Sequence, residues 1–354
     1  MVQILTYEQI DRQQWSKLVR ESETGTWFQS PEAFLFFSAQ KDLFEVFGVG
    51  VARVNELTNE RVNELAGLCV GYVTKEKNPI KQFFTRRAII TGGPMIANDA
   101  TSEEVETLMK AVRHQFDILD FRFKISGSPI YIETRNFNDY SRWREAFEAA
   151  GFEYKKHLNF HVDCTNRKAM DSRLSDTRRK QIRRAQATVE CITNESVKES
   201  DIREWYGILQ DMYRTRVKTP LWPEEFFIHA YRSNAAKYIM VKHEGRVIGG
   251  LMLVEDEKTV YEWFECGLDT AYERQYPSVM ATYAGMVYAA EHGIARCDFM
   301  GAGEPGVPYG VRDFKERFGG RLVEHGRFLC VQHRWLYRLG TMGVRMMKHF
   351  RFEI

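Results

Sequence analysis

Two stretches far apart in the chain share one pattern. Residues 143–164 read WREAFEAAGFEYKKHLNFHVDC and residues 311–331 read VRDFKERFGGRLVEHGRFLCV. Each is an amphipathic helix stopped by glycine, then a polar turn, then a β-rich run. The elements before them also recur in order: a helix, long paired strands, a second helix and a short strand. A repeat at a period of roughly 170 residues is too long for a solenoid and implies two similar domains. A chain of 354 residues is long enough for both to bury a core of their own. The expected fold class is therefore α/β (α+β), with two tandem domains, each a mixed, mostly antiparallel sheet flanked by helices. The junction falls near DCTNRKAMDSR, giving domains at 1–165 and 166–335 and a basic tail at 336–354 that packs back on the body.

Local signals support this reading. Ser30 followed by Pro31 marks a helix start. VFGVGVARV and LAGLCVGYVT read as a long hairpin, and TSEEVETLMKAVRHQF as a helix with a capping box at Ser102. In the second half a helix is expected at 200–217, with little more than its exit before residue 232. KYIMVKHEGRVIGGLMLVEDE and KTVYEWFECGL then follow as paired strands.

Composition excludes several functions. A net charge of +2 is too small for a nucleic-acid coat, so no DNA partner is expected and any basic function must be local. The six cysteines form no C-x-x-C pair and the nine histidines no H-E-x-x-H, which argues against a metal site. The amino terminus lacks a signal-peptide core, and no apolar run reaches the roughly 18 residues of a membrane span. A cytoplasmic location is expected.

Gly301, Gly303 and Gly306 satisfy the G-x-G-x-x-G pattern of a dinucleotide cradle. Yet Pro305 and Pro308 interrupt the place where the helix must begin, and the chain after Glu324 is too short for the rest of that fold. A Walker loop fails too, because Val307-Pro308 stands where Lys-Ser/Thr is needed.

Taken with its surroundings, the segment resembles the carboxyl-terminal part of the Fem-type peptidoglycan peptidyltransferases (FemABX) and their acyltransferase relatives. The matching features are Asp298-Phe299, the GAGEPG loop, Phe314-Lys315 and Gly319-Gly320. TWFQSPEAF, SDTRRKQIRRA and YERQYPSVMATYAGMVYAAEHG extend the resemblance over most of the chain. It implies two GNAT-like domains of the acyl-CoA N-acyltransferase fold. It also implies transfer of an aminoacyl group from aminoacyl-tRNA to an amine of a peptidoglycan precursor, soluble or lipid-linked, with charged tRNA as co-substrate and no permanently bound cofactor.

By motif match, Lys315 is the residue that stabilises negative charge at the reacting carbonyl, and Phe314 packs its helix. Read from pattern alone, Val311, Phe314 and Phe318 form a buried stripe and Lys315 is a solvated neighbour. Asp298, Glu304 and Glu265 are candidate proton acceptors, although a carboxylate at a strand end is more often a cap or salt-bridge partner. Arg178, Arg179, Lys180, Arg183 and Arg184 place positive charge around a helix suited to the phosphates of a tRNA acceptor end. Arg216 and Lys218 lie in a region resembling the family's substrate-phosphate contacts, and Gly301, Gly303 and Tyr309 shape the loop at the cleft.

The chain departs from the family in two places. It has Leu35-Phe36-Phe37 where a lysine often follows the first motif, and it lacks the coiled-coil arm some members insert. Acetyl-CoA or another acyl-CoA is the alternative donor, but Glu273-Arg274-Gln275-Tyr276-Pro277-Ser278 carries no glycine where a pyrophosphate loop needs one. A degenerate scaffold is the non-enzymatic alternative. The tail RWLYRLGTMGVRMMKHFRF is basic and partly amphipathic. Peripheral contact with the inner membrane surface competes there with packing on the body, which its glycines favour.

Overall fold

The protein is described by a computed structural model at residues 2–54, 64–120, 128–217 and 220–349. Lys218 and the last residues of the tail lie outside the described residues.

The chain opens with β1 (Val2–Thr6), α1 (Arg12–Glu21), α2 (Pro31–Ser38), β2 (Phe44–Arg53) and β3 (Glu64–Thr74). Then come α3 (Pro79–Thr85), β4 (Ala88–Gly92), β5 (Met95–Ile96), α4 (Ser102–Asp120), β6 (Tyr131–Asn136), α5 (Arg144–Ala149) and β7 (Glu153–Lys155). The middle contains β8 (Leu158–Asp163), α6 (Arg167–Arg173), α7 (Asp176–Ala185), β9 (Glu190–Ile192), α8 (Glu199–Met212) and α9 (Glu224–Arg232). It continues with β10 (Lys237–His243), β11 (Arg246–Glu255), β12 (Thr259–Gly267), α10 (Pro277–Glu291) and β13 (Arg296–Gly301). The end is α11 (Gly310–Glu316), β14 (Arg321–Glu324), β15 (Arg327–Val331) and α12 (Arg334–His349).

Two mixed sheets have the same plan. The first runs β1-β2-β3-β4-β6-β15-β7, with β5 beside β3; the second, reversed for comparison, runs β9-β10-β11-β12-β13-β8-β14. In each, one parallel pair stands among antiparallel ones: β4 with β6, and β12 with β13. The helices between the paired strands, α4 and α10, are the crossovers that parallel strands require.

The sheets do not divide the chain at 165 and 335. The first compact unit comprises residues 1–156 and 325–354, and the second residues 157–324. β8, the last strand of the first repeat, belongs to the second sheet, and β15, the last strand of the second repeat, belongs to the first. Register explains the crossover: Lys155 pairs with Arg327 in one sheet and Leu158 with Glu324 in the other. The chain thus leaves and re-enters the first unit as two antiparallel segments, and the second unit is an insertion into the hairpin β7–β15.

In the first unit, one core lies under α4 and α5, with Phe47, Met109, Phe147 and Phe328, and another under α1 and α2, with Trp15, Phe34 and Leu68. Ser30 caps α2 by accepting from Ala33 N, as expected, with Pro31 in the first turn. The capping box of α4 is Thr101 with Glu104, one residue earlier than the sequence suggests. In the second unit a core of Ile239, Leu251, Val260, Met286 and Phe299 lies beneath α10. On the other face Trp205 of α8 packs edge-on to Phe227 of α9. This second helix, EEFFIHAYR, was not expected, because Pro220 and Pro223 on its approach read as loop. α3 also went unread, and α12 forms despite its glycines.

Candidate active site

β12 and β13 pair at Thr259–Arg296, Val260–Cys297 and Tyr261–Asp298, and there the pairing stops, although both strands continue. The equivalent pair in the first unit, β4 and β6, stays bonded through five residues to Gly92–Asn136. The parting of β12 from β13 is therefore specific to the second unit. It deprives the end of β13 of its donors, and buried carbonyls need them.

Lys315 supplies those donors. From α11 its Nζ donates to Phe299 O at 2.5 Å and to Gly301 O at 2.7 Å. Two of three ammonium donors are thus used, leaving one N–H for a ligand. Lys315 is half-buried, not a solvated neighbour, whereas Val311, expected on the buried stripe, is exposed. Burial pulls the lysine pKa down, against the opposing pull of Glu262, Asp298 and Glu265.

Glu262 and Glu265 come from β12. Three residues apart, they would face opposite ways in a regular strand. Here Met252 pairs with Phe264 and Leu253 with Glu262, so Trp263 is an extra residue, a β-bulge. The bulge returns Glu265 to the face of Glu262, under α10. Gly285 on α10 makes room, since a Cβ there would stand 2.7 Å from Glu262 Oε1. Burial, then the neighbouring Glu265, hold Glu262 protonated well above the usual carboxylate range. Glu265 Oε1 is sealed from solvent without a hydrogen-bond partner. Burial first, with Asp269 adding, pushes Glu265 up to about 7, against a hydrogen bond from Ser278.

This carries a stability prediction. The folded pKa of Glu265 lies above its unfolded value, so the native state binds more protons between about pH 4.5 and 7 and loses stability as pH rises through that window. At 1.36 kcal/mol per unit the loss is about 3 kcal/mol. Urea unfolding at pH 5 and pH 8 is expected to show Glu265→Gln gaining roughly that much on the wild type at the higher pH. Equal pH slopes for the two proteins would place Glu265 in water.

The other expected residues are distributed around this centre. Phe314 is half-buried on the core, edge-on to Phe318 at 5.3 Å. Asp298 is fully buried: it accepts from Met300 N at 2.6 Å, and its Oδ2 is 3.2 Å from His161 Nε2. Burial opposes its ionisation, but His161 together with Arg296 and the Met300 N–H more than offsets this and holds its pKa below the usual carboxylate range. Its place is structural, behind the centre. Met300, beside it, has φ +59°, strained for a methionine at the point where β13 loses register with β8. Glu304 is exposed on the loop, and its carbonyl accepts from Arg312. Gly301 contributes the carbonyl held by Lys315. Gly303 has φ +78°, and its missing Cβ leaves space for the ring of Tyr309, itself exposed.

The basic helix α7 divides differently from its pattern. Arg183 and Arg184 are exposed in its last turn, while Arg179 donates to Ser172 O and pairs with Asp176. Arg178 points inward, only 3% exposed. Its guanidinium sits 4.6 Å from the Phe314 ring centroid and 4.3 Å from that of Phe318, and donates to Phe314 O and Gln181. It ties α7 to α11 and so fixes the helix that carries Lys315. Arg216 is exposed, donating to Thr270 Oγ1 at 3.3 Å. Glu262 and Asp269 were absent from the expected site, and Arg178, expected among the phosphate contacts of the basic helix, is buried against α11 instead. A carboxylate pair inside the apolar run VYEWFEC was the available signal for Glu262.

Asp269 occupies the amino terminus of α10. Its carboxylate accepts from Ser278 N at 3.1 Å and Ser278 Oγ at 2.6 Å. Pro277 has no N–H, and Tyr276 before it is left-handed, with φ +47°.

Residues 172–316 match the family model of the acetyltransferase (GNAT) domain. The second unit has the GNAT fold. The matched segment ends just past Lys315 and leaves out β8, which arrives from the other repeat. Over the whole chain the fold is similar to the crystal structure of FemX, with TM-score 0.66 and 13% identity, covering 95% of this chain and 99% of that one. It is also similar to the C-terminal domain of a putative lysylphosphatidylglycerol synthetase from Agrobacterium fabrum, with TM-score 0.54, 12% identity and 95% of each chain covered. A tandem GNAT protein from the clavulanic acid biosynthesis pathway aligns at TM-score 0.50 and 7% identity, over 93% of this chain and 98% of that one. At such identities the likeness is one of fold. No curated protein matches the sequence significantly.

Proposed function

We propose that the GNAT fold of the second unit transfers an aminoacyl group from the ester of an aminoacyl-tRNA to an amine of a peptidoglycan precursor. The observation that carries this reading is the placement of Lys315 within electrostatic reach of Glu265 where β12 and β13 part. A neutral amine attacks the ester carbonyl, the remaining N–H of Lys315 stabilises the oxyanion, and collapse breaks the ester C–O bond as the new C–N bond forms. The amine proton passes to the Glu265 carboxylate and on to the departing ribose oxygen, a task suited to an acid poised near neutrality.

The choice of donor rests on two features. Asp269 and Pro277 oppose a pyrophosphate at the amino terminus of α10, because one N–H is absent, another is taken, and a carboxylate already stands there. Exposed Arg183 and Arg184, with Lys180, offer phosphate contacts on α7. The Fem-type resemblance and the fold of FemX point the same way; the family-model match favours acyl-CoA as the second reading.

Equilibrium binding of charged tRNA, uncharged tRNA and acetyl-CoA decides between them. Charged tRNA is expected to bind, with an Arg183→Ala/Arg184→Ala variant weakened and its log K against log[salt] slope shallower by about 1–2. Binding of acetyl-CoA alone would overturn the proposed donor.

A further inference from the structure

The first unit carries an apolar surface that the acyl-transfer chemistry does not use. α3 leaves Ile80, Phe83 and Phe84 exposed, and α12, which packs against α3, leaves Trp335, Leu339 and Met342 exposed. Phe84 is 52% exposed and Trp335 58%, so neither is a core residue with a wet edge. The three α12 positions follow one another at i, i+4 and i+7 and share one face of the helix. Its other face is anchored, with Leu336 buried and the Tyr337 ring 5.5 Å from that of Tyr131, and just before the helix Gln332 N donates to Ile130 O. The exposed row is therefore held outward by packing on the body.

Charge selects the occupant. Lys77, Lys81 and Arg87 on or beside α3, and Arg334 and Arg338 on α12, are exposed around the apolar residues. Neither helix contains an acidic residue; Glu76, just before α3, pairs with Lys81 at 2.8 Å. Bulky aromatics ringed by lysine and arginine suit the headgroup boundary of an anionic bilayer, where rings enter the acyl edge and cations meet lipid phosphates. No helix among the described residues is long and apolar enough to cross a membrane. We infer that the α3–α12 face docks the protein peripherally on an anionic lipid surface. The inference stands on the first unit and is independent of the donor or acceptor used by the second.

Vesicle co-sedimentation of the full chain tests it, with vesicles of phosphatidylcholine alone and of phosphatidylcholine with about 30% phosphatidylglycerol to make the surface anionic. Binding is expected to the anionic vesicles, weakened by salt, with a blue shift of Trp335 emission. Phe84→Ser/Trp335→Ser is expected to bind at least tenfold more weakly with unchanged unfolding, since both side chains are exposed. Lys81→Glu/Arg338→Glu should lose the anionic preference. Absence of binding to anionic vesicles overturns the inference, as does wild-type-like binding by the Phe84→Ser/Trp335→Ser variant. Concentration-dependent self-association abolished by that variant, without vesicle binding, would instead assign the face to a second copy of the chain.

Discussion

Replacing Lys315 by methionine is expected to lower kcat for acyl transfer about 10²- to 10³-fold, the cost of removing one donor from a developing oxyanion. The methionine keeps most of the stem that fills the space between α11 and β13. It removes the ammonium from three places at once: the proposed oxyanion, the carbonyls of Phe299 and Gly301, and the field felt by Glu262 and Glu265. Stability falls too, because each orphaned buried carbonyl costs about 1–3 kcal/mol. Pre-steady-state transfer by protein shown to be folded separates the two effects. A second readout is the acid limb of the pH–rate profile, expected near pH 7 from Glu265 and displaced upward once the lysine charge is gone. A folded Lys315→Met protein with wild-type kcat would make the lysine a fastener of β13 and nothing more.

Cutting the chain at residue 165 is expected to yield two fragments that do not fold alone, although the sequence repeat suggests that junction. The amino-terminal fragment lacks β15, and with it Phe328, stacked on Phe147 at 4.0 Å, and buried Leu329 and Cys330. The carboxyl-terminal fragment lacks β8, and with it buried Leu158, Phe160 and Val162 and the partner of both β13 and β14. At about 1.5–3 kcal/mol for each large apolar side chain, either loss approaches a domain's whole stability of about 5–15 kcal/mol. Residues 157–324 alone hold the whole second unit and are expected to unfold cooperatively. Deleting 157–324 leaves Lys155 and Arg327, already paired, joined by Lys156, His325 and Gly326 as a short hairpin loop, and this chain should fold as well. Calorimetry on the four shortened chains checks the set; a cooperative transition in either fragment cut at 165 would refute it.

Much of this was legible in sequence because local patterns encode it. The glycine-stopped helices before Phe152 and Arg321, the Ser30-Pro31 start and the long hairpin each follow from the chemistry of a few adjacent residues. Phe314-Lys315 could be picked out, since the motif is contiguous. Arg178 could not be told from Arg183, because both sit on one basic helix and only the packing of α11 shows which of them lies between two phenylalanine rings. Glu262 and Glu265 read as opposite-facing residues until the bulge at Trp263, a product of pairing with β11, turns them to one side.

By itself, then, the sequence determined that there are two domains of one plan, most of the helices and strands that build them though not α3 or α9, and that Lys315 sits beside a glycine loop. Tertiary structure alone decided that β8 and β15 each complete the other repeat's sheet, that β12 leaves β13 after Asp298, and that two buried carboxyls and a lysine come within electrostatic reach of one another there. The physical reason is range. Propensity and periodicity act over a few neighbouring residues, whereas strand pairing, burial and the pKa shifts that follow depend on partners brought together from more than a hundred residues away, as Leu158 and Glu324 are.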